Sequence, residues 1–132
     1  WRASLWARFL DGEKAYEMIR GMMRHSMMDS LFTTHPPMQV DGTMGIVAGF
    51  AEMLLQSRTG RLHLLPALPE AWKNGSVRGL KARGNITVDM DWKDGRVTQF
   101  RLSSPMAQSV RVAANGTEKT YELTPETPVR GS

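Results

Sequence analysis

The chain has 132 residues, 41 % of them apolar, with 17 basic against 13 acidic residues, a formal net charge of +4 and no cysteine. That length fits one ordinary domain or two small pieces of larger ones. The missing cysteines exclude disulfides, thiolate nucleophiles and Cys-ligated metals, and no apolar run reaches the roughly 18 residues that a membrane-spanning helix needs.

Trp1-Arg2-Ala3-Ser4 carries neither an initiator methionine nor a signal-peptide pattern, and the chain reads as a fragment of something longer. Leu5, Trp6, Phe9 and Leu10 form one apolar stripe, which predicts a first helix. Asp11 and Gly12 interrupt it, and Asp11 is a fitting N-cap for a second helix with Glu13 in its first turn. Ala15, Met18, Ile19, Met22 and Met23 then mark a broad buried face, with methionine serving as an adaptable core filler. After a proline loop, Ile46, Val47, Phe50, Met53 and Leu54 predict a third helix from near Gly45, running past Gln56 and stopping at Gly60.

The period then changes. Ile86, Val88, Met90 and Trp92 alternate with Asn85, Thr87, Asp89 and Asp91, a half-buried strand. Asp94-Gly95 is a hairpin signal leading into a strand over 96–102. Val110 and Val112 suggest another strand, which Asn115-Gly116 turns into 117–123. Leu62–Leu65 and Val77–Ala82 are weaker strand candidates, and the proline-broken 66–72 between them is expected to lie over a neighbouring element. Helices followed by antiparallel strands indicate an α+β chain or two separate domains.

The richest chemistry lies in His35-Pro36-Pro37-Met38-Gln39-Val40-Asp41-Gly42, a stiffened loop at the mouth of the third helix. By residue type alone Asp41 reads first as a cap of that helix or as ordering the turn at Gly42. The chemical alternative is a carboxylate stabilised by the free backbone N–H groups of the helix, able to take a proton from water as the base of an inverting glycosidase. His35 suits a sugar hydroxyl or plain loop packing. His25 and His63 have no partners at metal-ligand spacing, so no metal is expected. Asp89 and Asp91 share one strand face and read as its solvated side rather than a calcium site. Trp6 and Trp92 look like core residues, and Trp72 is expected to pack between the two halves. The glycines of Asp41-Gly42-Thr43-Met44-Gly45 lack the lysine of a phosphate loop.

Several motifs occur together in order: Trp1-Arg-Ala-Ser-Leu-Trp-Ala-Arg-Phe-Leu-Asp-Gly12, His35 to Gly42, Ala48-Gly-Phe-Ala-Glu-Met-Leu-Leu-Gln-Ser57, Leu64-Leu-Pro-Ala-Leu-Pro69 with Trp72, and Gly79-Leu-Lys-Ala-Arg-Gly84. Over residues 1–95 the chain resembles the C-terminal end of the inverting α-L-fucosidases of glycoside hydrolase family ninety-five. The resemblance implies that residues 1–57 are the last helices of an (α/α)6 barrel catalytic domain and 58–132 a small antiparallel β-sandwich domain. It implies that Asp41 is the catalytic aspartate on the base side and that His35 and Gln39 bind substrate. The general acid glutamate would lie outside this chain, and no cofactor is needed.

The family usually reads Asp-Gly-Asn-Phe-Gly where this chain has Asp41-Gly42-Thr43-Met44-Gly45, and Met38 replaces a usual phenylalanine. The choice between α-L-fucosides and related α-L-galactosides is therefore open. The implied partner is a fucosylated oligosaccharide, the substrate of the intact enzyme, while the fragment is expected to be inactive and to self-associate through apolar helix faces. No basic run suggests nucleic acid, and no segment suggests a membrane. A cysteine-free chain fits the cytoplasm without excluding a periplasm, and a periplasmic or secreted parent is expected. The alternatives are a non-catalytic carbohydrate-binding or assembly module, and a family member whose Thr43 and Met44 mark lost activity.

Overall fold

A computed structural model describes residues 1–34, 36–125 and 127–132, which form two compact units. Unit 1 comprises Trp1–Leu54 with Pro66–Pro69, and unit 2 comprises Leu55–Leu65 with Glu70–Ser132. The chain is α+β, and its described residues form three α-helices in the first unit and two four-stranded sheets in the second.

In unit 1 the helices are α1 (Arg2–Arg8), α2 (Gly12–His25) and α3 (Val40–Leu54). Leu10, at φ 63°, breaks the path between α1 and α2. Asp11 then caps α2 as its type predicts, accepting a hydrogen bond from the Lys14 backbone N–H at 3.0 Å. Ala15 and Ile19 are buried on α2, and Ile46, Gly49 and Met53 are buried on α3. Gly49 permits a close approach of the helices, since a Cβ there would lie 3.2 Å from the Cβ of Ala3 on α1. Pro66–Pro69 lies against the start of α2. Only glycine fits at position 12, where a Cβ would stand 2.6 Å from the Ala67 carbonyl oxygen.

Two expectations for α3 are corrected. The helix starts at Val40, not near Gly45, so Gly42 and Gly45 lie inside it. It also ends at Leu54, because Leu55–Arg58 leaves the helix to pair antiparallel with Arg61–Leu64, register Leu55↔Leu64 to Arg58↔Arg61. Strand pairing overrides the apolar period there, which cannot separate a helix end from a short strand.

The strands of unit 2 are β1 (Leu55–Arg58), β2 (Arg61–Leu64), β3 (Gly75–Ala82), β4 (Ile86–Lys93), β5 (Arg96–Ser103), β6 (Gln108–Ala114), β7 (Thr117–Leu123) and β8 (Val129–Gly131). The sheets run β1-β2-β6-β7 and β3-β4-β5-β8. All pairings are antiparallel except β2 with β6, which is parallel, a departure from the purely antiparallel expectation. Asp94-Gly95 and Asn115-Gly116 both turn with positive φ at each residue, as two-residue hairpins require. Ile86, Val88, Met90 and Trp92 are all buried, facing Val97, Phe100 and Leu102 of β5. A bulge between Asp91 and Trp92 shifts the register, so that Val97 and not Thr98 turns inward. The other sheet contributes Leu62, Leu64, Val110, Val112 and Leu123, and Phe100 meets Tyr121 edge-on at 5.5 Å between ring centres. Asn115 ties the layers by bonding both the N–H of Val97 (2.9 Å) and its carbonyl (2.8 Å).

Candidate active site

Asp41 is the second residue of α3, in its first turn. Backbone N–H groups at this helix start have no partner within the helix, and the helix dipole turns its positive end toward them. The residue just before the helix is Gln39, whose carbonyl accepts the first helical bond from the Thr43 N–H at 3.3 Å. The capping reading of Asp41 is thereby displaced: Gln39 holds the cap position, and its backbone is held by the Thr33 hydroxyl rather than by an aspartate. Among the described residues the Asp41 side chain is exposed and enters no hydrogen bond or ion pair.

Asp41 and Gln39 line one depression of unit 1, with a volume of about 750 Å³. Its walls include Trp1, Arg2, Glu17, Met18 and Met22, and three helical glycines, Gly21, Gly42 and Gly45. A Cβ on Gly21 or Gly45 would meet nothing within 4 Å, so both glycines leave open space on this wall. The depression is an open groove that combines a free carboxylate, an amide, a cation and an indole, a donor and acceptor set suited to a polyhydroxylated ligand.

Gln39 thus shares the groove with Asp41, while His35 lies outside the described residues. Met38 and Met44, singled out in the sequence as departures from the usual motif, are exposed and do not line this groove. Two contributors escaped sequence reasoning. Glu17 reads as the polar face of an amphipathic helix, which it also is. Thr33 carries no periodic signal, and only its burial, at 5 % exposure, discloses it.

The remaining candidates resolve into structural roles. Asp89 accepts from the Gly79 N–H at 2.8 Å, and Asp91 is bonded by Arg78 at 2.5 Å and by Gln99. The Arg78 hydrogen bond, with that of Gln99, holds the Asp91 carboxyl below the usual carboxylate range. Burial, and then the neighbouring Arg61, lowers the His63 imidazole below its ordinary value. Among the described residues no group of three His, Asp or Glu could hold a metal ion, and no helix is long and apolar enough to cross a membrane. Trp92 is core, its indole N–H donating to the Trp72 carbonyl at 2.6 Å, whereas Trp6 is only half-buried, stacked under Lys14 at 4.4 Å.

Known proteins align with both halves. Residues 1–54 match the glycosyl hydrolase family 95 catalytic domain, and residues 56–129 match the glycoside hydrolase family 95 C-terminal domain. Alpha-L-fucosidase 2 of Arabidopsis thaliana is 40 % identical over 95 % of this chain and 16 % of its own length. Probable alpha-fucosidase A of Aspergillus niger is 29 % identical over 74 % of the chain and 14 % of its own length. The Aspergillus oryzae protein of the same name is 27 % identical over 85 % of the chain and 18 % of its own length. The chain therefore spans less than a fifth of the length of these curated relatives.

Proposed function

This chain belongs to glycoside hydrolase family 95, and from that premise we propose that it acts within a longer inverting glycoside hydrolase that cleaves α-L-fucosidic bonds in oligosaccharides. Its three helices supply the closing helices of an (α/α)6 catalytic barrel, and the strands that begin at Leu55 supply its C-terminal β domain. The names of the relatives support the sugar class, and the two matched family domains support the division of the chain.

The observation that carries the reading is the Asp41 carboxylate, exposed and unbonded among the described residues, in the first turn of α3 and on the groove wall with Gln39. A base must reach a water without first breaking another hydrogen bond, and this carboxylate can. Asp41 takes the proton of the attacking water as its oxygen adds to the anomeric carbon. A carboxylic acid elsewhere in the enzyme protonates the leaving oxygen. The two carboxyl groups of an inverting enzyme stand about 6.5–9.5 Å apart, which leaves room for that water. Gln39 and His35 bind the sugar hydroxyls, and α-L-galactosides are a second substrate class for the same pocket.

Large apolar side chains on unit 1 support the barrel assignment: Trp1, Phe9, Leu31, Met44 and Val47 are 80, 72, 61, 64 and 61 % exposed. Neighbouring helices would cover such faces, and without them the isolated chain self-associates. The rival role as a carbohydrate-binding module finds less support. Sugar-stacking platforms need open aromatic faces, yet the aromatic side chains of unit 2 are buried or half-buried.

The test compares the isolated chain with the longer enzyme on an aryl α-L-fucoside, following the first-formed sugar by NMR. The longer enzyme releases β-L-fucose first and the isolated chain releases none. Turnover by the isolated chain, or release of α-L-fucose first, overturns the proposal.

A further inference from the structure

We infer that Thr33 is a positioning residue, whose hydroxyl clamps the backbone of Gln39 and whose methyl seats Gly42, so fixing the first turn that presents Asp41. The inference rests on the proposed role of Asp41 as the base.

Thr33 is among the few buried polar residues of the chain, at 5 % exposure. A hydroxyl that deep needs partners for its donor and its acceptor. Both come from one residue six positions on: Oγ1 accepts the Gln39 N–H at 3.0 Å and donates to the Gln39 carbonyl at 3.3 Å. That same carbonyl takes the opening bond of α3 from the Thr43 N–H.

In a capping box, the N–H of the residue before the helix is satisfied by a Glu or Gln side chain at the third helical position. Here that position is Gly42, which has no side chain to offer. Thr33 supplies the missing acceptor from outside the helix. Its γ-methyl also packs beside Gly42, where a Cβ would come into van der Waals contact with it at 3.4 Å.

Thr33 is itself anchored. It forms an antiparallel bridge with Met27, and the next residue, Thr34, donates its N–H to the Ser26 carbonyl at 3.0 Å. Met27 and Ser26 directly follow α2. A continuous set of ties therefore runs from the end of α2 through Thr33 to the backbone on both sides of Asp41. Because no described side chain bonds the Asp41 carboxylate, its position depends on that backbone.

The test uses the longer enzyme with Thr33→Val, which keeps the methyl and loses the hydroxyl, and Thr33→Ser, which does the reverse. A misplacement of about 1 Å costs on the order of 100-fold in rate. Thr33→Val should lower kcat on an aryl α-L-fucoside by about 10- to 100-fold with KM changed less than about threefold, and Thr33→Ser should recover most of that loss. Unchanged kcat in Thr33→Val, or an equal loss in both variants, overturns the inference. Amide exchange at Gln39 provides a readout independent of activity. It should quicken in Thr33→Val and stay slow in Thr33→Ser, and equal rates in all three proteins overturn the clamp. If the unsubstituted enzyme does not turn over the fucoside, the proposed function fails and exchange alone decides the clamp.

Discussion

Gly45 and Gly49 stand one turn apart on α3, and alanine should act on them in opposite directions. Inside a helix glycine is about 0.8–1.0 kcal/mol less favourable than alanine. A Cβ at Gly45 would meet nothing within 4 Å, so Gly45→Ala should collect that gain in full, about 1 kcal/mol. At buried Gly49 the new methyl would sit 3.2 Å from the Ala3 Cβ and 3.9 Å from the Ser4 Oγ. Two helix backbones must separate by a few tenths of an ångström, and overpacking of this kind costs about 1–3 kcal/mol. Gly49→Ala should therefore fall about 1–3 kcal/mol below Gly45→Ala, the propensity gain being common to both. Urea unfolding of the chain followed by the helical circular dichroism band measures the difference. Equal stability of the two variants refutes the close approach of α1 to α3, and a destabilised Gly45→Ala refutes the open space beside it. Gly45 also lies one turn from Asp41 on the groove wall. The stabilised variant should accordingly turn over more slowly in the longer enzyme, the trade-off expected where a site is left open.

Asn115→Ala removes both bonds to the Val97 backbone and places a less suitable residue at φ 53°. It should destabilise unit 2 by about 2–4 kcal/mol, read by urea unfolding through tryptophan fluorescence, and a loss below about 0.5 kcal/mol would contradict the tie between the layers. His63 is lowered below its ordinary 6.5 by burial and by Arg61, so its proton favours the unfolded chain. The urea midpoint of unit 2 should fall as pH drops below about 6.5 toward the folded value, and His63→Gln should flatten that stretch. A midpoint that rises on acidification over this range would reverse the sign. The Asp91 carboxyl, lowered by Arg78 and Gln99, contributes stability above its ordinary 3.8 that is lost as pH falls through the folded value. Asp91→Asn should flatten that more acidic limb and leave the histidine limb in place.

The β half was legible in the sequence because two local signals agreed. Strict alternation over 86–92 named the buried face, and Asp94-Gly95 and Asn115-Gly116 fixed the hairpins by their tolerance of positive φ. The short strands β1 and β8 were not legible, since four and three residues carry too little period, and β8 also pairs with the remote β5. The parallel pairing of β2 with β6 leaves no local mark at all. In the helical half spacing found Ala15 and Ile19 of α2 and Ile46 and Met53 of α3, which are buried, but it also placed Met23 and Val47 there, which are exposed, and it missed the start of α3. Glycine at 42 and 45 reads as a breaker, and the bond from the Gln39 N–H to Thr33, six residues earlier, leaves no periodic mark in the sequence. Asp41 stood out by residue type and by motif, whereas its freedom from other hydrogen bonds is a property of the folded chain that no local pattern encodes.

The most direct measurement is kcat of the longer enzyme carrying Asp41→Asn on an aryl α-L-fucoside, with KM and folding checked alongside. Asparagine keeps the size and the place on the helix but cannot take a proton from water. General base catalysis is worth about 10²–10⁴-fold, so kcat should fall by at least about 100-fold while the variant still folds and binds substrate. An unchanged kcat in a folded variant would remove Asp41 from the chemistry and contradict the account.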